Sequence, residues 1–384
     1  MQHFYFDHNA TTPVAPEVLE TVVTCLGQVY GNASSIHHFG QAAKQRLEAA
    51  RRQVAALIHA GPQEVVFTSG GTEADNLAIF GVVRAAGGRP LHLITSAIEH
   101  PAVLAPSAHL EREGVEVTRL PVSAGGVVNP EDVSRALRPE TVLVSIMHAN
   151  NELGTVQPIA EIARVTREAG VLLHVDGVQA LGKIPVDVEA LGADLYSMSG
   201  HKLYAPKGVG ALFVRKGTRL APTAFGGHHE RDRRPGTENV PGIAALGAAA
   251  ELAGRSLPAE SERLAALRDR LENAVLSRVS GAGVNGARWN RTPNTSNIYF
   301  DGVDGEAMVI ALDLRGFAVS TGSACSSGAI TPSHVLTAMG LSADRARSSL
   351  RFSLGRSNTA EQVDALTDAL VASVIHLRRI SVHA

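Results

Sequence analysis

The segment LYSMSGHKLYAPKGVGALFV sets Lys202 in a short polar turn between two apolar runs that read as buried strands. A lysine so placed is partly desolvated and held by its neighbours, which suits an amine that acts as a nucleophile or forms a Schiff base with a carbonyl. Ser199, His201 and the Gly200 backbone stand beside it and offer donors for an anionic group. A loop lysine on the surface is the commoner fate of any one lysine. The chemistry of Lys202 therefore depends on what else the chain brings to the same place.

The runs EVVFTS, PLHLITS, VEVTRL, TVLVSIMHA, VLLHVDG, ADLYSMS and VGALFVR predict seven strands, with helices between them over 72–86, 101–113, 130–137 and 159–169. Alternation of this kind predicts an α/β fold: a mainly parallel seven-stranded sheet with helices on both faces. The stretch from Ala221 to Pro241 is rich in Gly, His, Arg and Asp, lacks apolar periodicity, and reads as a long functional loop. An Ala- and Leu-rich helical region follows, after which strands and helices alternate less regularly. The expected division is a large domain over 16–258 and a smaller α+β domain over 259–384, with residues 1–15 packing against the smaller one.

In open α/β sheets, ligands bind beyond the carboxyl ends of the strands, and here those ends carry chemistry. After EVVFTS comes GGTEADN, where Gly70 and Gly71 permit close backbone approach and Thr72 opens a helix, a cradle suited to phosphate; an ordinary Thr-capped turn would look the same. After PLHLITS comes His100, next to Pro101 at a helix start, able to stack on a planar ring or move a proton. NNELG offers the amides of Asn150 and Asn151, or a plain polar turn. Asp176 ends a strongly apolar strand, where an acid is costly without a positive partner; a protonated pyridine nitrogen would be one, although capping of the next helix is the simpler role. Gln179 is near enough in sequence to reach a ring hydroxyl. A phosphate cradle, an aromatic base, an amide, an acid and a lysine on one sheet edge together predict the pyridoxal-phosphate aminotransferase type of fold, with pyridoxal 5'-phosphate as cofactor.

At 384 residues the chain can bury a large core. Its 35 Lys and Arg against 37 Asp and Glu leave a formal charge of −2, which gives no general surface for nucleic acid. MQHFYFDHNATTP lacks a basic start followed by an apolar run, and no stretch is long and apolar enough to span a bilayer, so a cytoplasmic enzyme is expected. The two cysteines, Cys25 and Cys325, are too few for a disulfide framework. Cys25 sits in the apolar helical stretch VLETVVTCLGQVY and reads as a core residue. Cys325 lies among small polar residues in STGSACSSG, a setting for a reactive thiol.

The strings FDHNATTP, GNASSIHHFG, VVFTSGGTEADNLAI, EHPAV, SIMHANNELGTVQPI, HVDGVQALGK, SGHKLYAPKGVGAL, RPGTENVPGI, STGSACSSG and SSLRFSLGR run in order from Tyr5 to Arg356. With them the chain resembles the cysteine desulfurases of the NifS/IscS type, notably in SGHK and GSAC. The resemblance implies that Lys202 holds the cofactor as a Schiff base, His100 stacks on its ring, Asp176 pairs with the ring nitrogen and Gln179 bonds the ring oxygen. It implies a phosphate site of Gly71, Thr72, Ser199 and His201, joined by Thr237 from the second subunit of a homodimer. Asn151 and Arg351 would hold the carboxylate of L-cysteine, and Cys325 would take its sulfur as a persulfide for an acceptor such as an iron–sulfur scaffold protein. Cys325 is also the one candidate metal ligand, as a transient iron–sulfur ligand.

The chain departs from that pattern at three places. Gly177 stands where the family usually has Ala after the ring-pairing acid, and looser packing against the cofactor ring is expected there; His229 and Asp232 replace an expected Gln and Gly. Two other readings compete: a related pyridoxal-phosphate enzyme, such as a selenocysteine lyase or a small-amino-acid aminotransferase, and a non-catalytic sulfur or iron–sulfur carrier. Cys325 discriminates against an aminotransferase, which has no use for it, and Lys202 against a carrier.

Overall fold

Each of the seven apolar runs contributes one strand to a single sheet. The computed structural model describes residues 2–88, 90–322 and 332–381. The short β1 (Phe4–Tyr5) lies outside that sheet, which is built from β2 (Val65–Thr68), β3 (His92–Ser96), β4 (Glu116–Leu120), β5 (Thr141–Met147), β6 (Leu172–Asp176), β7 (Leu195–Ser199) and β8 (Gly210–Val214) in the order β2-β8-β7-β6-β5-β3-β4. Pairing is parallel from β7 through β6, β5 and β3 to β4, while β8 runs antiparallel to both β2 and β7. Thr68, Ser96, Met147, Asp176 and Ser199 therefore end their strands at one edge of the sheet. The first residue of β8, Gly210, pairs with both Thr68 and Ser199 at that edge.

The two-residue period of the strands sorts their side chains onto two apolar faces. Val65, Phe67, Ile94, Val144, Leu173, Val175, Tyr196 and Phe213 pack into one core. Val66, Leu93, Leu143, Leu195 and Leu212 face the other way, against the helix Gly71–Ala86. A separate core holds Ile298, Phe300, Leu350 and Phe352. These belong to an antiparallel sheet of β9 (Ala282–Val284), β10 (Thr295–Phe300) and, beyond β11 (Phe317–Ala318), β12 (Ser349–Ser353). The helix Val240–Arg278 runs through Pro258 and serves both: its residues up to Ala253 enter the first core, and Leu264, Leu267, Leu271 and Val275 enter the other. The N-terminal segment is also shared. β1 pairs with β11 and Phe6 is in the second core, whereas the Thr12 hydroxyl donates to the His201 carbonyl and Ala15 is in the first core.

The stretch from Ala221 is irregular, as expected, and a buried ion pair pins it. Glu230, buried, takes both Arg51 guanidinium nitrogens at 2.8 Å and the Phe67 amide at 2.9 Å. Glu230, Arg231 and Asp232 follow one another in the left-handed region, with φ of 44°, 57° and 63°. That conformation costs a side-chain-bearing residue about 1 kcal/mol or more, which gives a physical reason to expect glycine at 232. The Asp232 carboxylate instead meets His228 Nδ1 at 2.5 Å.

Behind Gly177 the protein is tightly packed. A Cβ there would lie 1.9 Å from Tyr196 Cε1 and 2.0 Å from its Cζ. The Tyr196 ring, fully buried, fills the space a side chain would take, and its hydroxyl is fixed by His148 Nδ1 at 2.9 Å. Glycine is thus complementary to a tyrosine one strand away. Gly177→Ala is expected to cost about 1–3 kcal/mol by overpacking, read from the urea midpoint, and to cost less in a Tyr196→Leu background. Equal costs in the two backgrounds would show that the ring is not the cause.

Candidate active site

Lys202 ends the single turn Gly200–Lys202 that follows β7. Its Nζ donates to the carbonyls of Asn9 and Ala10, both at 2.6 Å. Burial, and next the charge of Arg351, bring its pKa from 10.5 down to about 8. Asp176, last in β6, is buried, and its Oδ1 accepts from the Val178 amide at 3.0 Å. Burial raises its pKa, while His100 and Lys202 oppose the rise.

His100 caps the helix Pro101–Arg112, its Nδ1 accepting from the Ala102 amide at 3.1 Å. That bond leaves the ring proton on Nε2. The residue keeps an exposed surface, yet desolvation by the protein around the ring lowers its pKa, with the Asp176 charge acting the other way.

Gly71 and Thr72 open the helix Gly71–Ala86, whose N-cap Gly70 supplies no side-chain cap. The first amides of that helix remain available to an anion. The approach is close: a Cβ on Gly71 would lie 2.7 Å from Val178 Cγ2 and 3.4 Å from Ser199 Cβ, and one on Gly210 would lie 2.7 Å from the Gly70 backbone. Buried Ser199 thus borders the helix start. His201 Nδ1 meets Thr11 Oγ1 at 3.1 Å, and burial followed by Lys202 pushes its pKa down to about 4. Thr237 is exposed, in a segment tied to the same helix by the Arg234–Glu73 pair at 2.8 Å.

Arg351 lies within β12, buried, where Nη2 donates to Asp7 Oδ1 at 2.6 Å and Nη1 to the Asn151 carbonyl at 3.1 Å; its Nε has no partner among the described residues. Asn151 is half-buried beside it, whereas its neighbour Asn150 is fully buried and turns inward, donating to the Ile98 carbonyl at 3.1 Å. Gln179 donates to the Asn9 carbonyl at 2.9 Å and accepts from Lys183 Nζ.

Sequence reasoning passed over Asn9, Lys183 and Asp7. Asn9 is 2% exposed, and its side chain donates to the Asn151 carbonyl at 3.0 Å and Thr295 Oγ1 at 2.9 Å. It accepts from Lys183 Nζ at 2.8 Å and Asn294 at 3.1 Å. Lys183 is fully enclosed, and burial holds its pKa far below the usual lysine range. The available signals were polar residues inside the strings FDHNATTP and QALGK, where a buried role leaves no mark in periodicity. Cys25 is buried in the helix Pro16–Gln28, as a core residue would be. Cys325 lies outside the described residues, and among those described no cluster of His, Cys, Asp and Glu could hold a metal ion.

The aminotransferase class-V family model matches residues 4–366. The cysteine desulfurase IscS of Dictyoglomus turgidum is 48% identical over 377 residues, 98% of this chain and 96% of that protein. Its counterpart from Anaeromyxobacter dehalogenans is 50% identical over 380 residues, 98% and 94% of the two chains. A solved structure of a NifS-like protein superposes with a TM-score of 0.92 at 36% identity, covering 98% of this chain and 100% of its own. By its fold, and by identity over nearly its whole length, this chain belongs to the aminotransferase class-V family and within it to the cysteine desulfurases.

Proposed function

We propose that the chain converts L-cysteine to L-alanine and takes the sulfur as a persulfide on Cys325 for delivery to an acceptor protein. The observation that carries this reading is the desolvated Lys202 amine at the same sheet edge as Asp176, His100 and an uncapped helix N-terminus. Membership of the family implies dependence on pyridoxal phosphate, and the residues fit it. Asp176 is a buried acid without an ion-pair partner among the described residues, suited to a protonated ring nitrogen. The helix start beside Ser199 and His201 suits the phosphate.

In this reading Lys202 holds the cofactor's carbonyl carbon, His100 stacks on the ring and Gln179 reaches the ring oxygen. Gly71, Thr72, Ser199 and His201 hold the phosphate, together with Thr237 of a second copy in a homodimer. The bound cofactor supplies an electron sink for charge left on the substrate α-carbon. Arg351 and Asn151 orient the substrate carboxylate, the guanidinium offering a planar fork to both oxygens; to do so Arg351 shares or exchanges its bond to Asp7. Displaced by the substrate amine, Lys202 would take the α-proton at Nζ, which is unprotonated in a large fraction of molecules near pH 8, and would later return it to the α-carbon. The Cys325 thiolate attacks the substrate sulfur: an S–S bond forms, the substrate C–S bond breaks, and its electron pair stays on carbon, which gains a proton to give alanine. Two thiols thus yield one methyl group and one persulfide. On this reading the acceptor is a sulfur-accepting protein such as an iron–sulfur scaffold, the site of action the cytoplasm, and Cys325 a transient iron–sulfur ligand. No described helix is long and apolar enough to cross a membrane.

Lys202→Ala is expected to abolish both alanine formation and the visible absorption of the cofactor-loaded protein; an unchanged spectrum removes Lys202 as the cofactor's anchor. Cys325→Ser should still bind L-cysteine, with the accompanying spectral change, yet form no protein persulfide. Undiminished alanine production by that variant would exclude Cys325 as the sulfur acceptor. Because only the unprotonated amine attacks a carbonyl, colour formation on adding pyridoxal phosphate to apoprotein should quicken as pH rises, with its half-point at about 8. A half-point at the ordinary lysine value contradicts the desolvated amine.

A further inference from the structure

The described residues on either side of Cys325 are tied to groups that border the substrate site. On the near side Ser320 bridges Arg351, its amide donating to the Arg351 carbonyl at 3.3 Å and its carbonyl accepting from the Arg351 amide at 2.7 Å. Gly322, buried, donates its amide to Ser320 Oγ at 3.0 Å and lies against Glu152: a Cβ there would stand 3.1 Å from Glu152 Oε2 and 3.2 Å from its Cγ. On the far side the Ser333 hydroxyl donates to the same Oε2 at 2.6 Å. His334 Nε2 meets the carbonyl of Glu99, the residue before His100, at 3.0 Å. One oxygen, Glu152 Oε2, thus borders both sides.

Glu152 is itself held from behind. It is buried, in the turn that also presents Asn151. Its amide donates to Asn150 Oδ1 at 2.9 Å, and its carbonyl accepts at 3.4 Å from Nδ2 of Asn297, the residue of β10 that stands opposite Arg351 of β12. Leu153, next in the turn, shares a core with Val335 and Leu336 of the helix His334–Ala338. The Ser333 oxygen accepts from the Leu336 amide at 3.3 Å, so its one proton is free to go to Glu152. Removing the Glu152 side chain would strip a buried hydroxyl of its acceptor and open space beside Gly322.

Covalent geometry gives these anchors their importance. Cys325 is three residues beyond Gly322 and eight before Ser333, so a fully extended backbone carries it at most about 11 Å from the first and about 29 Å from the second. While Gly322 stays against Glu152, the thiol is confined to the neighbourhood of Asn151 and Arg351, and that confinement raises its effective concentration at the substrate.

We propose that Glu152 is a positioning residue for sulfur transfer: by bonding Ser333 and packing on Gly322 it fixes both sides of the Cys325 segment against the turn that presents Asn151. The proposal rests on the reading of Cys325 as the sulfur acceptor. Its test is a single turnover of the cofactor-loaded protein with L-cysteine, following the spectral change on binding and the appearance of protein persulfide. In Glu152→Ala the Kd read from the spectral change should stay within about twofold of wild type, while persulfide forms about tenfold or more slowly. Glu152→Gln, whose side-chain oxygen can still accept from Ser333, should keep a rate within about threefold of wild type. A wild-type rate in Glu152→Ala, a Kd that weakens as much as the rate falls, or a Glu152→Gln as slow as Glu152→Ala each overturns the role. Should Glu152→Ala not load cofactor, Ser333→Ala removes the same bond and is judged by the same two measures. Cys325→Ser, run in parallel, separates the two readings. Alanine at the wild-type rate from that variant removes Cys325 as acceptor, whereas its loss there, together with wild-type persulfide formation in Glu152→Ala, removes only the role of Glu152.

Discussion

The hydrogen bonds from the Lys202 amine to the carbonyls of Asn9 and Ala10 are the contact on which the rest of the site depends. An amine removed from water must find acceptors or lose its charge, and here the acceptors come from the N-terminal segment rather than from the sheet that carries the lysine. Asn9 can hold its carbonyl there because its side chain is bound on every side, by Lys183, Asn294, Thr295 and Asn151. Those partners come from both structural cores. The position of the amine is thereby set against the whole molecule and not against its own loop.

The same segment disposes of the arginine. Asp7 and the Asn151 carbonyl occupy two of the Arg351 nitrogens, so the guanidinium is already desolvated and aimed before any carboxylate arrives. Preorganisation of this kind avoids the cost of ordering a long side chain on binding.

Most of the sheet and its edge was legible in the sequence because both follow from local pattern. Continuous apolar runs mark strands buried on two faces, and the polar residues just beyond EVVFTS, PLHLITS, VLLHVDG and ADLYSMS had to fall at the carboxyl edge of a parallel sheet. The places of Lys202, Asp176 and His100 beyond those strands were read in this way. Asn9 and Lys183 were not, since their roles come from contacts across 193 and 174 residues, which leave no periodicity behind. The packing behind Gly177 was not legible for a related reason. Its meaning lies in the ring of Tyr196, and a residue type read alone shows the absence of a side chain without showing what fills the space.

The Arg351–Asp7 pair joins residues 344 positions apart in the chain. A contact of such span closes a very long loop, and it can form only after Arg351 has left the ribosome. Until then Lys202 has its sheet and Asn9 its carbonyl, but nothing yet holds them in register from the far side. A chain cut short of Arg351 would carry Lys202 and its Asn9 contact without the guanidinium that meets Asp7.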